Sequence, residues 1–211
     1  MKGPLPTVAA LSFCYFAAIG LFNPYAPLWF QSLGFSTVLI GALAALQSWT
    51  RVFAPYAWSW FGDHSGRRVE LIRLSAFGTL CASAGLMGVQ QALPVAVVTA
   101  LLFMANSGVV PLYEAVLGQL LRVSGSNTSG SGSGSGSESA GGIDTQRYGR
   151  VRVWGSVGFM VSVTAFGALL ERFGIGVFPA FVAAMNGLML LAALRLPATH
   201  EDAVHDEPAP P

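Results

Sequence analysis

The chain has little charge of either sign, and this excludes several classes of protein. Only 10% of its 211 residues are charged, and the net charge is +1, whereas about a quarter of the residues in an ordinary soluble domain are charged. Hydrophobic residues make up 53% of the chain, and its mean hydropathy is +0.58. These values indicate a protein embedded in a lipid bilayer, and no nucleic-acid partner is predicted.

Cysteine and histidine are also scarce, which argues against metal, disulfide and catalytic chemistry. Cys14 and Cys81 both fall in apolar stretches, and neither a Cys-x-x-Cys spacing nor a histidine cluster occurs. A disulfide framework, a metal site and a cofactor are therefore not predicted. The apolar stretches hold no Ser/His pair, no paired aspartates and no His-x-x-x-His spacing. An intramembrane enzyme is accordingly the weakest functional class, and no enzyme is predicted.

Long apolar runs are what the chain has in quantity. A transmembrane helix needs about 20 apolar residues, and six stretches qualify: 7–31, 37–61, 69–90, 94–121, 149–171 and 174–196. They predict an all-α membrane protein with six transmembrane helices. If the chain crosses six times, most basic residues fall on one side: Lys2, Arg67, Arg68, Arg73, Arg122, Arg147, Arg150 and Arg195. The positive-inside rule then predicts an inner-membrane protein with both termini cytoplasmic.

A Gly/Ser-rich tract divides the chain into parts. Residues 1–123 contain helices one to four, 124–148 form a flexible cytoplasmic linker, and 149–198 contain helices five and six. The acidic, Pro-rich segment 199–211 is predicted to be disordered. The tract is compatible with natural low-complexity sequence and with an engineered linker.

Three of the charged residues inside the apolar stretches are functional candidates, because a lone ion in hydrocarbon costs several kcal/mol. Glu114 in the fourth stretch and Arg152 in the fifth are predicted to form an ion pair, which either binds solute or only fixes helix packing. Arg51 in the second stretch cannot lose its proton. It must therefore face a polar cavity or a carboxylate, or pair structurally with another helix.

Three amide side chains, Asn23, Gln47 and Asn106, also lie within the predicted spans. They are candidates to line the same cavity. Hydrogen bonding between helices is the other interpretation.

The segment SWFGDHSGRR at 59–68 resembles the loop signature of the major facilitator superfamily through Asp63, Gly66, Arg67 and Arg68. The resemblance implies a cytoplasmic gate built on a tight turn. It also implies the amino-terminal half of a twelve-helix fold, itself a 3+3 inverted repeat, in which substrate binds between two six-helix bundles.

The chain also resembles the lactose-permease family of oligosaccharide/proton symporters over nearly its whole length. The matching residues are Pro111, Glu114, Ala115, Gly149, Arg150, Arg152, Gly155, Val157 and Gly158. The resemblance implies that Glu114 and Arg152 bind substrate, and that Ser156 and Phe159 line the sugar site. The run TRVFAPYAW at 50–58 resembles the phenylpropionate-transporter-like branch of the superfamily.

Two differences from the symporter pattern favour an organic acid over a sugar. Phe159 replaces the tryptophan that stacks on the sugar ring, and it has no indole N–H. Arg51 is an additional cation, and arginine binds a carboxylate through two parallel hydrogen bonds.

The sequence therefore predicts the amino-terminal half of a secondary active transporter, with proton-coupled uptake of a small organic solute. Its expected partner is a second six-helix half or a second copy of itself, so the chain is a fragment, one half of a split transporter, or a homodimerising half. The alternative function is a six-helix membrane module that pairs with a partner and transports nothing.

Overall fold

The computed structural model of the protein describes residues 5–126 and 145–196, and the side chains of 5–121 and 148–196. These residues form α-helices joined by short turns, with two 3-10 turns at Leu86–Gly88 and Ile175–Val177. The α-helices are α1 (Leu5–Ser32), α2 (Thr37–Ser65), α3 (Arg68–Gly85), α4 (Ala92–Asn106), α5 (Val109–Ser126), α6 (Thr145–Phe173) and α7 (Phe178–Leu194).

The described part of the chain contains six helical segments long and apolar enough to cross a membrane, which confirms the predicted fold class. The fourth of these, Ala92–Leu121, is not one continuous helix as the apolar run at 94–121 suggests. It is divided into α4 and α5 by a turn at residues 107–108. The turn places non-helical backbone inside the fourth span.

The interruption follows from the residues around it. Pro111 has no N–H, so it cannot donate to the carbonyl of Ser107 one turn earlier. The amide of Gly108 donates to the Ala105 carbonyl, three residues earlier, at 3.3 Å. In a regular α-helix it would donate to the carbonyl four residues earlier. The Ser107 hydroxyl donates to the Phe103 carbonyl at 2.6 Å. The regular helical pattern therefore ends at α4 and begins again at α5.

Side chains from neighbouring helices donate hydrogen bonds to carbonyls beside the interruption. The Trp58 indole Nε1–H donates to the Met104 carbonyl at 2.9 Å, and the Ser75 hydroxyl donates to the Ala105 carbonyl at 2.5 Å. Gly108 lies under the Trp58 ring, where a Cβ would approach a ring atom to 2.6 Å. Such external partners are what a membrane requires of non-helical backbone.

Trp58→Phe is expected to destabilise the bundle by about 1 kcal/mol. The Met104 carbonyl loses its hydrogen-bond donor, while an aromatic ring remains at position 58. The measurement is unfolding of the chain by SDS titration, followed by circular dichroism. Trp49→Phe is the matched control, since Trp49 is exposed and stacks on Phe53. Equal midpoints for the two variants would contradict the role of the indole N–H.

The helical boundaries shorten the predicted linker. Residues 124–126 belong to α5 and residues 145–148 to α6, because α5 ends at Ser126 and α6 begins at Thr145. The predicted linker boundaries at 124 and 148 are therefore corrected. The rest of the Gly/Ser tract, 127–144, and the predicted tail, 199–211, lie outside the described residues.

Helices from the two ends of the chain pack against one another. α1 packs mainly on α6 and α7, α3 packs on α4 and α7, and α2 packs on α4 and α5. The first three spans therefore interleave with the last three. A common space lies between α1, α2, α4, α5 and α6.

The contact between α1 and α6 is made through glycine. A Cβ on Gly20 of α1 would lie 2.7 Å from the carbonyl oxygen of Phe159 on α6. A Cβ on Gly155 would lie 2.5 Å from the Phe16 ring, and one on Gly158 would collide with the backbone of Phe13. Small residues at such positions let membrane helices approach closely.

Two hydrogen bonds add to this contact. The Ser162 hydroxyl donates to the Ala17 carbonyl at 2.5 Å, and the Tyr25 hydroxyl donates to the Val163 carbonyl at 2.6 Å. The α1–α6 pair is thus held by both close packing and hydrogen bonding, and it forms a rigid wall for the space between the helices.

Candidate functional site

A cavity of about 560 Å³ lies between α1, α2, α4, α5 and α6. Ligand sites in proteins commonly have volumes of about 300–1,000 Å³. Four predicted site residues line this cavity: Arg51, Asn106, Glu114 and Arg152. Tyr15, Phe16 and Phe103 give it an aromatic wall. The cavity therefore combines charge with flat apolar surface.

The predicted ion pair between Glu114 and Arg152 is present. Arg152 Nη1 lies 2.7 Å from Glu114 Oε1 and donates a hydrogen bond to it. The Arg152 guanidinium also lies over the Phe16 ring, 5.6 Å from its centroid. Both charged side chains remain partly exposed, at 51% for Arg152 and 36% for Glu114. The pair is therefore accessible from the cavity.

Arg51 has different surroundings. Its guanidinium carbon lies 5.9 Å from the centroid of the Phe103 ring, and within the described residues it forms no ion pair. Of the ionisable residues that line the cavity, Arg51 and Arg152 are cationic and Glu114 is anionic. With all three ionised, the cavity carries one uncompensated positive charge, and Arg51 is its source.

A second cavity of about 220 Å³ adjoins the first, because Arg51 lines both. Asn23 of α1 and Gln47 of α2 lie here. Gln47 Nε2 donates to Asn23 Oδ1 at 2.9 Å, so both interpretations of these amides apply. They line a cavity and hydrogen-bond two helices together. Thr99 of α4 lines the same cavity and is 1% exposed.

Ser156 and Phe159 are not among the residues that line either cavity. At one and two helical turns beyond Arg152, they share its face of α6. Ser156 is exposed, and Phe159 is 38% exposed and packs against Gly20 of α1. The structure thus separates them from Glu114 and Arg152, and their role in solute binding stays a prediction.

Sequence reasoning missed the aromatic wall and Thr99. The spans that carry these residues are apolar on every side, so periodicity does not distinguish a cavity face from a lipid face. The i, i+4, i+7 spacing of Thr99, Phe103 and Asn106 was the one available signal, because it places two polar residues on one face of α4.

The loop between α2 and α3 contains the predicted gate residues. Gly66 ends α2 with φ 64°, a left-handed conformation that favours glycine. Asp63 Oδ1 lies 3.1 Å from Arg68 Nη2, and Arg67 Nη1 lies 3.5 Å from Glu70 Oε2. The tight turn is present, and Asp63 pairs with a basic residue of the same loop. The gating role stays a prediction.

The fold and the cavity together define an all-α, polytopic membrane protein with a solute-sized cavity between its helices. A family model described as the MFS_1 like family matches residues 6–208. The chain therefore belongs to the MFS_1 like family. None of the curated proteins matches the chain.

Two crystal structures of the nucleoside transporter NupG, one of them of a point mutant, share this fold. The mutant structure has 16% sequence identity and a TM-score of 0.76, and the match covers 98% of this chain and 48% of that one. The other has 16% identity and a TM-score of 0.75, with 99% and 47% covered. The chain thus spans about half the length of these structures, and the similarity shows the fold alone.

Proposed function

We propose that this six-helix bundle is the amino-terminal half of a secondary active transporter for a small organic acid. The observation that carries the proposal is the single uncompensated cation, Arg51, in a solute-sized cavity of a major-facilitator-type bundle. Arg51 is exposed in this bundle, and a bound carboxylate supplies the opposite charge that it lacks once a second bundle covers the cavity and removes water from it. A neutral sugar or nucleoside would leave Arg51 uncompensated.

The interrupted fourth span supports an anionic solute. Val110 and Pro111, in the first turn of α5, line the cavity beside Arg51. A helix amino terminus carries a partial positive charge, and half-helices in transporters direct such ends towards anionic groups. The Glu114–Arg152 pair then binds the remainder of the solute, with Ser156 and Phe159 as further contacts once a second bundle faces α6.

The remaining parts of the proposal concern the whole transporter. A second six-helix bundle, or a second copy of this chain, supplies the other half of the cavity wall, consistent with coverage of about half of each structural neighbour. Both termini are cytoplasmic in an inner membrane, and uptake is proton-coupled as in the symporters that the chain resembles. Asp63, Gly66, Arg67 and Arg68 form the cytoplasmic gate.

Arg51→Lys is expected to weaken binding of benzoate about 10-fold or more, because an ammonium cannot donate two parallel hydrogen bonds to a carboxylate. Binding of uridine, a neutral nucleoside, should change little. The measurement is calorimetric titration of both probes on the chain in the assembly isolated from the membrane. Uridine also tests the solute class of the structural neighbours.

Two results would overturn the assignment to an organic acid. One is an equal loss for both probes in the Arg51 variant. The other is binding of uridine without binding of benzoate by the unmodified protein. The alternative function, a bundle that only pairs with a partner, is favoured if neither probe binds while a second six-span chain co-purifies.

A further inference from the structure

Asn106, the last residue of α4, has a buried polar atom without a partner. Its side chain lines the larger cavity and the residue is 6% exposed. Its carbonyl oxygen, Oδ1, is buried and accepts no hydrogen bond from any described residue. An unsatisfied acceptor inside a membrane bundle is costly. A donor that enters the cavity would remove this cost once the amide turns Oδ1 towards the cavity, which the residue lines.

The position of Asn106 relative to Arg51 limits what that donor can belong to. Phe103 and Asn106 are three residues apart on α4, so their Cβ atoms are neighbours at about 5–6 Å on one helix face. The Arg51 guanidinium lies over the Phe103 ring. A solute with its carboxylate at Arg51 therefore has its body against Phe103 and its next polar group near Asn106.

We propose that Asn106 determines specificity by accepting a hydrogen bond from a hydroxyl or N–H group of the solute, about one helical turn from the carboxylate bound by Arg51. The inference rests on the proposed function and narrows it. The cavity has one uncompensated positive charge, so the solute is a monocarboxylate. The aromatic wall favours a flat ring between the carboxylate and the donor.

Three probes that differ only at the para position separate the contribution of the hydrogen-bond donor to binding from that of the carboxylate and the ring. Para-hydroxybenzoate has the donor, benzoate lacks it, and para-methoxybenzoate has an oxygen that cannot donate. The unmodified protein is expected to bind para-hydroxybenzoate about fivefold to tenfold more tightly than benzoate. Para-methoxybenzoate should gain nothing over benzoate, since the acceptor on the protein needs a donor.

Asn106→Leu is expected to abolish the preference for the hydroxyl, so the variant should bind para-hydroxybenzoate and benzoate with equal affinity. The unliganded variant should be at least as stable as the original in thermal unfolding, because the substitution removes an unsatisfied acceptor and keeps the branched shape of the side chain. A residue needed only for packing or folding would show the opposite change in stability.

Thr99→Val is the matched control. Thr99 lies on the same face of α4, and its hydroxyl is also buried without a partner, but it lines the smaller cavity. The hydroxyl preference should survive in this variant. Its loss in Thr99→Val, but not in Asn106→Leu, would overturn the proposal.

The outcomes distinguish this inference from the function on which it rests. If the unmodified protein binds all three acids equally, or if Asn106→Leu retains the preference, the role of Asn106 is wrong and the organic-acid assignment stands. An ordered water on Oδ1 would produce this result. If no acid binds but uridine does, both are wrong.

Discussion

Glu114→Gln is expected to reduce binding of benzoate by about 100-fold or more. The amide cannot carry the negative charge that holds Arg152 Nη1 at 2.7 Å. The guanidinium is then no longer held between Glu114 and the Phe16 ring, so the surface that binds the remainder of the solute is lost. Removing one partner of a buried, hydrogen-bonded charge pair commonly costs about 2–5 kcal/mol, and the lower end applies here because both side chains are partly exposed. The measurement is calorimetric titration with benzoate.

Two further variants test whether the charge pair binds solute or only packs helices. Glu171→Gln neutralises an exposed carboxylate elsewhere on α6 and should bind benzoate normally. The exchange Glu114→Arg with Arg152→Glu restores an ion pair, so it should recover stability without recovering binding. Full binding by Glu114→Gln, or full recovery by the exchange, would assign the pair to packing.

The second large effect is expected at the α1–α6 contact. Gly158→Ala should lower the free energy of unfolding by about 2–3 kcal/mol, because the added Cβ collides with the Phe13 backbone and a helix backbone cannot move aside as a side chain can. Gly41→Ala is the control, because nothing lies within 4 Å of a Cβ at Gly41. Alanine in that helix interior should be stabilising by about 0.5–1 kcal/mol.

SDS titration followed by circular dichroism measures both glycine variants. The two midpoints should move in opposite directions. A shift of the same sign and size in both would mean that α1 and α6 do not meet closely at Gly158. Because α6 carries Arg152 and α1 carries Phe16, a loosened α1–α6 contact should also weaken benzoate binding in Gly158→Ala.

The interrupted fourth span shows which features the local sequence predicts and which depend on contacts with other helices. Pro111 predicts a disturbed helix, since the lost N–H is a property of the residue itself. The positions of the helix ends depend instead on which neighbouring side chains donate to the carbonyls beside the interruption. Trp58 of α2 and Ser75 of α3 do so. Neither residue is near Pro111 in the sequence, so the interruption at residues 107–108 is a product of packing.

The charged residues also show which features the sequence predicts and which depend on packing. The cost of an ion in hydrocarbon is independent of topology, so Glu114 and Arg152 were predictable as a pair from their depth alone. Phe159 and Ser156 were grouped with them by resemblance, yet the cavity formed by the described residues ends before them. Which turn of α6 faces the cavity depends on how closely Gly155 and Gly158 approach α1.

The sequence by itself determined that the chain contains six stretches able to cross a membrane and that the few charges within them need partners. Both conclusions depend only on the free energy of transferring side chains and backbone into lipid. The tertiary structure alone decided that Arg51 lacks an ion-pair partner among the described residues, and that Asn106, which lines the same cavity, has a buried amide oxygen without a hydrogen-bond donor. These facts arise from contacts between helices far apart in sequence, whose rotation about their own axes an all-apolar pattern does not encode.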